Sequence, residues 1–178
     1  LLDIPYGIVV QAAGPTEWVG ARSFEQLQRA YRHASRLFFV SEENRDLLET
    51  NLALDLSHAE IVDNPFTVQP QSPPSWPSDE SVWKLACVGR IHFQSKGQDL
   101  LLRLLTMPKW RVRPLEIVFW GDDNGSLRQA QEWIELHQLQ RQAKLGGYCH
   151  EIAAMWAMYH AFVLPSRYEG NSLAMIEA

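Results

Sequence analysis

Two glutamates, Glu169 and Glu177, stand eight positions apart in SRYEGNSLAMIEA, residues 166–178, around a Gly-Asn-Ser turn. Asn171 and Ser172 are good N-cap residues and Leu173 to Ala178 favour helix. A helix is therefore expected from about Ser172, with Glu169 ahead of it and Glu177 inside it. At about 1.5 Å of rise per residue the two carboxylates lie roughly 8–9 Å apart along the axis, too far to share a proton, so they read as two separate contacts. Gly170 permits the turn, and the amides of Asn171, Ser172 and Leu173, unpaired at a helix start, suit an anion. Glu177 can accept hydrogen bonds from a ribose diol while those amides hold attached phosphates, and Glu169 faces whatever the distal phosphate carries. Taken alone, either glutamate would pass for a cap or a solvated helix residue.

A second stretch, CVGRIHFQSKGQDLLL (87–102), sets Gly89 and Arg90 at the end of an apolar run and Lys96-Gly97 at the expected opening of a helix. In an open parallel sheet the ligand crevice lies beyond the carboxyl ends of the strands. Arg90 and Lys96 with helix N-terminal amides then match a diphosphate, although two solvated basic residues in a loop explain this stretch alone equally well. The spacing is not that of a P-loop. FWGDDNG (119–125) repeats the layout, with Gly121 allowing close backbone approach. Asp122 and Asp123 read as Asp-Asn-Gly turn chemistry rather than a calcium loop. HEIAA (150–154) opens like a zincin helix but carries Ala154 where the second histidine belongs, which rejects zinc hydrolysis. His33, His58, His92, His137 and His160 show no metal spacing, so no metal is expected. Met155, Trp133 and Trp156 suit core packing.

The elements that must position these residues follow from periodicity. A strand in IPYGIVVQAA (4–13), a helix in SFEQLQRAYRHAS (23–35) with a Ser23–Gln26 capping box and a Phe24, Leu27, Tyr31, Ala34 stripe, a strand RLFFV (36–40), a Ser41-capped helix EENRDLLET and a strand AEIVDNPF (59–66) give β, α, β, α, β. VQPQSPPSWPSDES (68–81), with four prolines and four serines, reads as a linker. The alternation then resumes: strand VWKLACV, helix KGQDLLLRLL, strand LEIVFW, helix SLRQAQEWIELHQL, a strand near AKLGG, helix HEIAAMWAMYHA, strand FVLP and a final helix. This pattern argues for α/β architecture, with Rossmann-like parallel sheets carrying helices on both faces. The expected division is 1–67, 68–81 as linker, and 82–178.

Composition narrows the function classes. With 46% apolar and 21% charged residues the chain is globular rather than disordered, and a net charge of −5 without a basic run argues against a nucleic-acid partner. Cys87 and Cys149 are two lone thiols without metal spacing, fitting a reducing compartment. No apolar run approaches a membrane span and no signal peptide is visible, so a cytoplasmic address is expected. The sequence begins at Leu1 without methionine and stops inside an expected helix, which suggests a fragment.

VGRIHFQSKGQDLL, FWGDD, HEIAAMWAMYHAFVLPS and PSRYEGNSLAMIEA, in this order, resemble the V-G-R…K-G-x-D-L-L, Gly-Asp, L-x-x-x-Y-x-x-A and P-S-x-x-E-G…E-A segments of GT-B glycosyltransferases, in particular the retaining group 1 or family 4 enzymes. AYRHASRLFFVSEENRDLLE and AEIVDNPF are similar, more loosely, to segments near that family's domain junction. The resemblance implies parts of two GT-B domains: 1–67 as the end of the acceptor-side N-terminal domain, and 82–178 as the first part of the nucleotide-sugar-binding domain. It implies that Arg90 and Lys96 bind the nucleotide diphosphate and that Glu177 holds the ribose. Glu169 would meet the transferred sugar, making Glu169, Arg90 and Lys96 the catalytic set. Gly89, Gly121, Gly170 and the backbone of Asn171, Ser172 and Leu173 complete the donor site, and Tyr148, near Gly147 and Cys149, neighbours the base. The early glycine-rich loop and catalytic-region histidine of the family have no counterpart here, nor does the stretch after E-A, so the chain alone is expected to be inactive.

The implied reaction is hexosyl transfer from a nucleoside-diphosphate sugar to a glycan, lipid or other acceptor with retained configuration. No cofactor is expected. Peripheral association of the intact protein with the cytoplasmic membrane face stays open. Two other readings are a nonhydrolysing sugar-nucleotide epimerase, separable by product analysis, and a noncatalytic GT-B-like binding or scaffold module, separable by nucleotide binding.

Overall fold

The computed structural model describes residues 4–14, 20–65, 75–78 and 81–178. The chain forms two compact units, Leu1–Pro65 with Tyr168–Ser172, and Phe66–Arg167 with Leu173–Ala178. The expected linker, 68–81, falls largely outside the described residues.

The first unit runs β1 (Gly7–Val10), α1 (Ala21–His33), β2 (Arg36–Phe39), α2 (Glu42–Leu52) and β3 (Glu60–Ile61). Its sheet has the order β1-β2-β3, parallel throughout, with Val10 opposite Phe39 and Phe39 opposite Ile61. Val10, Leu37, Phe39 and Leu56 form the core, with Tyr31 and Ala34 of the α1 side packed against it. Ser41 caps α2 as expected, its hydroxyl accepting the Asn44 amide at 3.2 Å. The buried Asn44 side chain in turn accepts the Ala13 amide at 3.0 Å, tying α2 to the loop after β1.

Two local expectations fail here. Helix α1 starts at Ala21 from Gly20 with no side-chain cap, so Ser23 lies inside the first turn and cannot form a capping box with Gln26. β3 keeps only two residues of AEIVDNPF, and both are exposed; Phe66 lies outside the described residues.

The second unit runs β4 (Trp83–Val88), α3 (Phe93–Lys96), α4 (Gln98–Thr106), α5 (Pro108–Arg111), β5 (Leu115–Trp120), α6 (Leu127–Leu136), β6 (Ala143–Gly147), α7 (Ile152–Trp156), β7 (Ala161–Phe162) and α8 (Leu173–Glu177). The sheet order is β6-β5-β4-β7, again all parallel, with Trp83 opposite Leu115 and Val88 opposite Trp120. WKLACV and LEIVFW are near-continuous apolar runs because a parallel strand is covered on both faces. On one face Cys87, Ile117 and Phe119 pack against Leu101, Leu102 and Leu105 of α4 and Ala130 and Ile134 of α6. On the other, Ala86 and Val118 are buried, and the Trp120 indole donates to the Tyr159 hydroxyl, just past α7, at 2.7 Å.

The helix expected across KGQDLLLRLL is interrupted. Lys96 closes the one-turn α3, Gly97 adopts φ +67°, and α4 begins only at Gln98. α5, a short helix started by Pro108, is an addition to the expected elements, while α7 and β7 are shorter than HEIAAMWAMYHA and FVLP suggested.

Candidate functional site

Because all four strands of the second unit are parallel, the loops after β4, β5, β6 and β7 gather at one edge of the sheet. The backbone ties them together. The Gly89 amide donates to the Trp120 carbonyl at 2.8 Å, Ile91 to Asp122 at 2.8 Å, Gly121 to Gly147 at 2.7 Å and Asn124 to Ile91 at 3.1 Å. Gly121 is required at this edge, since a Cβ there would stand 2.3 Å from the Gly89 carbonyl oxygen. The close approach that glycine permits is thus between neighbouring strand ends.

Arg90 is exposed at this edge, and its backbone is held by a residue outside the expected site. Gln98 is 2% exposed, and its amide nitrogen donates to the Arg90 carbonyl at 2.9 Å while its amide oxygen accepts the His92 amide at 3.3 Å. A buried amide satisfied from both ends of one turn fixes that turn. The His92 ring is held in turn by the Ser95 hydroxyl at 2.7 Å.

Lys96 lies over Gly89: a Cβ at position 89 would meet the Lys96 Cδ at 3.7 Å. The lysine stem covers the end of β4, and its charge acts on the Cys87 thiol, which burial nevertheless pushes up to about 12. Lys96 does not open a helix, however. Its amide bonds back to His92 at 2.8 Å, and the first turn of the following helix, α4, already holds a carboxylate, Asp99. Of the amides that open α4, that of Leu100 donates to the Gly97 carbonyl at 2.9 Å.

Asp99 belongs to a clamp that sequence separation concealed. Both guanidinium nitrogens of Arg167 meet its two carboxylate oxygens at 2.8 Å, and Arg167 also donates to the Phe93 carbonyl. The Arg167 hydrogen bonds hold the Asp99 carboxyl below the usual carboxylate range. The Arg167 amide donates to the Ser95 carbonyl at 2.8 Å, and a Cβ on Gly97 would stand 2.1 Å from the Pro165 carbonyl oxygen. The α3–α4 corner that carries Lys96 is thus bolted to the loop after β7.

Asp123 behaves as turn chemistry. One of its carboxylate oxygens accepts the amides of Gly125, Ser126 and Leu127 at 2.8, 3.0 and 3.0 Å, with the Leu127 bond foremost in lowering its pKa. Among the described residues no cluster of three His, Cys, Asp or Glu is placed to hold a metal ion. Tyr148 is 61% exposed beside Gly147, its ring 4.7 Å from that of His150. A cavity of about 670 Å³ opens between α6 and β6, reaching Gly121, Asp122 and Gly147, within the size range of small-molecule sites.

The segment 168–173 behaves differently from its expectation. Tyr168–Ser172, including Glu169, Gly170 and Asn171, packs with the first unit, whereas Leu173 and Glu177 belong to the second. Gly170 is not needed for a left-handed turn, since its φ is not positive. Its hydrogen is required because a Cβ would stand 1.9 Å from the Gln11 carbonyl oxygen and 2.7 Å from a Val40 methyl. The Asn171 carbonyl accepts the Asn64 side chain at 3.2 Å, and Ser172 is buried. α8 does begin at Leu173, with the half-buried Glu177 at its end.

The sequence profile described as "Glycosyl transferases group 1" matches residues 68–178. The chain belongs to this family. No curated protein sequence matches it. Among solved structures, a likeness of fold extends over both units. A variant of S. aureus TarM in complex with fondaparinux, alpha-GlcNAc-glycerol and UDP superposes with TM-score 0.77 at 18% identity, over 98% of this chain and 34% of that one. Anabaena Alr3699/HepE in complex with UDP and glucose gives 0.69 at 14% identity, over 91% and 46%. The pneumococcal O-GlcNAc transferase GtfA in complex with UDP and GlcNAc gives 0.65 at 15%, over 98% and 35%. At these identities the likeness concerns the GT-B-type α/β fold, and the chain spans between about a third and just under half of each structure's length.

Proposed function

We propose that this chain supplies the donor-binding part of a retaining hexosyltransferase that uses a nucleoside-diphosphate sugar. Residues 1–67 represent the end of an N-terminal, acceptor-side domain, 68–81 the linker and 82–178 the first part of the donor domain. One observation carries the reading: an exposed arginine and a lysine whose stem crosses Gly89 are both anchored at the carboxyl edge of a parallel sheet, where such folds bind ligands. Family membership and the UDP printed for three fold neighbours support a diphosphate as the anion.

In this reading the chemistry is leaving-group stabilisation. As the bond from the anomeric carbon to the diphosphate oxygen breaks, negative charge grows on the diphosphate. Arg90 and Lys96 stabilise that growing charge more than they stabilise the intact donor. Their backbones are held beforehand by Gln98 and by the Arg167–Asp99 clamp, which limits backbone reorganisation during the step. Glu177 receives the ribose hydroxyls, Glu169 meets the transferred hexose, and Gly170 with the backbone of Asn171, Ser172 and Leu173 lines the donor. Gly121 and Tyr148 border the nucleoside. The acceptor is a glycan, a lipid or another hydroxyl compound.

In the intact enzyme, Arg90→Ala and Lys96→Ala should each lower kcat/KM for donor by about 2–4 kcal/mol, with little change in KM for acceptor. Unchanged donor kinetics in both variants would refute the assignment. Appearance of an epimerised free nucleotide sugar in place of a glycoside would show a different reaction at the same diphosphate site.

A further inference from the structure

A second charged surface lies at the opposite, amino-terminal edge of the same sheet, where the segments leading into β4, β5 and β6 surround a concavity of about 460 Å³. Arg111, Arg113 and Arg141 line it, no acidic side chain does, and Lys109 stands two residues before Arg111. This is cationic ground on a chain whose net charge is −5. Glu116, the first acidic residue of β5, is paired with Lys144 at 2.5 Å. Among the described residues none of the three arginines forms an ion pair.

The segment is held rigidly. Gln142, 9% exposed, donates through its amide nitrogen to the carbonyls of Trp110 at 3.0 Å and Arg113 at 3.1 Å. The Arg113 guanidinium lies 5.1 Å from the centroid of the Trp110 ring, whose own packing is against the core. On the same segment two apolar side chains are exposed, Val112 of the concavity at 83% and Met107, two residues before Lys109, at 54%. Single exposed apolar residues need no explanation. Cations framing exposed aliphatic tips do fit one chemistry, an anionic bilayer surface, where guanidinium groups meet headgroup phosphates and the aliphatic tips enter the interface.

We propose that MPKWRVRP, residues 107–114, with Arg141 docks on anionic phospholipid membranes. The surface faces away from the edge carrying Arg90 and Lys96, so its failure would leave the donor reading untouched.

Sedimentation of the intact protein with vesicles of phosphatidylcholine containing 30% phosphatidylglycerol, against pure phosphatidylcholine, tests this. Binding to the anionic vesicles alone is expected, falling steeply between about 0.1 and 0.5 M salt as screening grows. Replacing Arg111 and Arg141 by Glu should weaken it at least about 25-fold, from roughly fivefold for each cation lost. This variant leaves the Arg113–Trp110 stack intact, and an unchanged melting temperature will show that it folds. Val112→Glu, at a position 83% exposed, should weaken binding without lowering the melting temperature. Equal sedimentation with both vesicle types, or wild-type binding by the double variant, would overturn the proposal. So would calorimetric binding of inorganic pyrophosphate at these arginines with no vesicle binding, which would mark a soluble-anion site.

Discussion

Arg90 is useful at the sheet edge only if its backbone stays put, and that depends on Gln98. Removing the buried amide by Gln98→Leu leaves the Arg90 carbonyl and the His92 amide without partners, at about 1–3 kcal/mol. The expected outcome is a lowered denaturation midpoint together with a raised KM for donor. A loss of stability with unaltered donor kinetics would show that Gln98 supports the core alone. Arg167 and Asp99 add a pH dependence. The folded Asp99 carboxyl titrates below its unfolded value of about 3.9. Its contribution is therefore present in full above that value and lost as pH falls through the lower folded one. Arg167→Ala should erase this component, so that wild type and variant converge in stability only in strong acid; curves that stay parallel down to pH 2 would contradict it. The placement of Arg90 and Lys96 beyond the end of β4 was legible from types and spacing. Gln98, Asp99 and Arg167 were not, because a polar residue in a helix pattern looks solvated until tertiary packing buries it, and the Arg167–Asp99 pair is 68 positions apart.

At the scale of elements, the strands were readable because WKLACV, LEIVFW and RLFF each carry one charged residue in an otherwise apolar run, which suits a parallel sheet covered on both faces. Helix ends were less so. KGQDLLLRLL looked continuous since Gln, Asp and Leu all propagate helix, yet Gly97 takes φ +67° as the left-handed cap of α3, and the Pro165 carbonyl occupies the space a side chain would need. Gly97→Ala should therefore cost more than the about 1–2 kcal/mol of a left-handed residue alone, the backbone contact adding to the strain. Gly20→Ala, with nothing within 4 Å and φ −61°, should be close to neutral. Denaturant midpoints of the two variants compare them directly, and equal shifts would dismiss the Pro165 contact. The Ser23 cap failed for a related reason: a capping box is a local signal, and the chain entered α1 from Gly20, three residues ahead of Ser23. Gly170 was seen as a turn residue, whereas packing against Gln11, 159 positions away in sequence by the residue numbers, demands it.

For the whole molecule, the family and the α/β architecture were visible in the ordered motifs, while the membership of Tyr168–Ser172 in the first unit was not, since a contiguous motif gives no hint that its residues pack with different units. The two thiols offer a probe of global stability. Cys87 is 2% exposed and its thiol is pushed up to about 12 by burial, whereas Cys149 is half-buried. Native alkylation near neutral pH should modify Cys149 and spare Cys87, with Cys87 labelling appearing at the rate of unfolding of the second unit. No helix among the described residues is long and apolar enough to cross a membrane. The account rests above all on a pyrophosphate meeting Arg90 and Lys96, and calorimetry on the intact protein addresses it directly. UDP, GDP and ADP are titrated first, and then the tightest of them is compared with its bare nucleoside in wild type, Arg90→Ala and Lys96→Ala. The prediction is that both substitutions weaken the diphosphate at least tenfold and leave the nucleoside unchanged. Undiminished diphosphate affinity in both variants would contradict it.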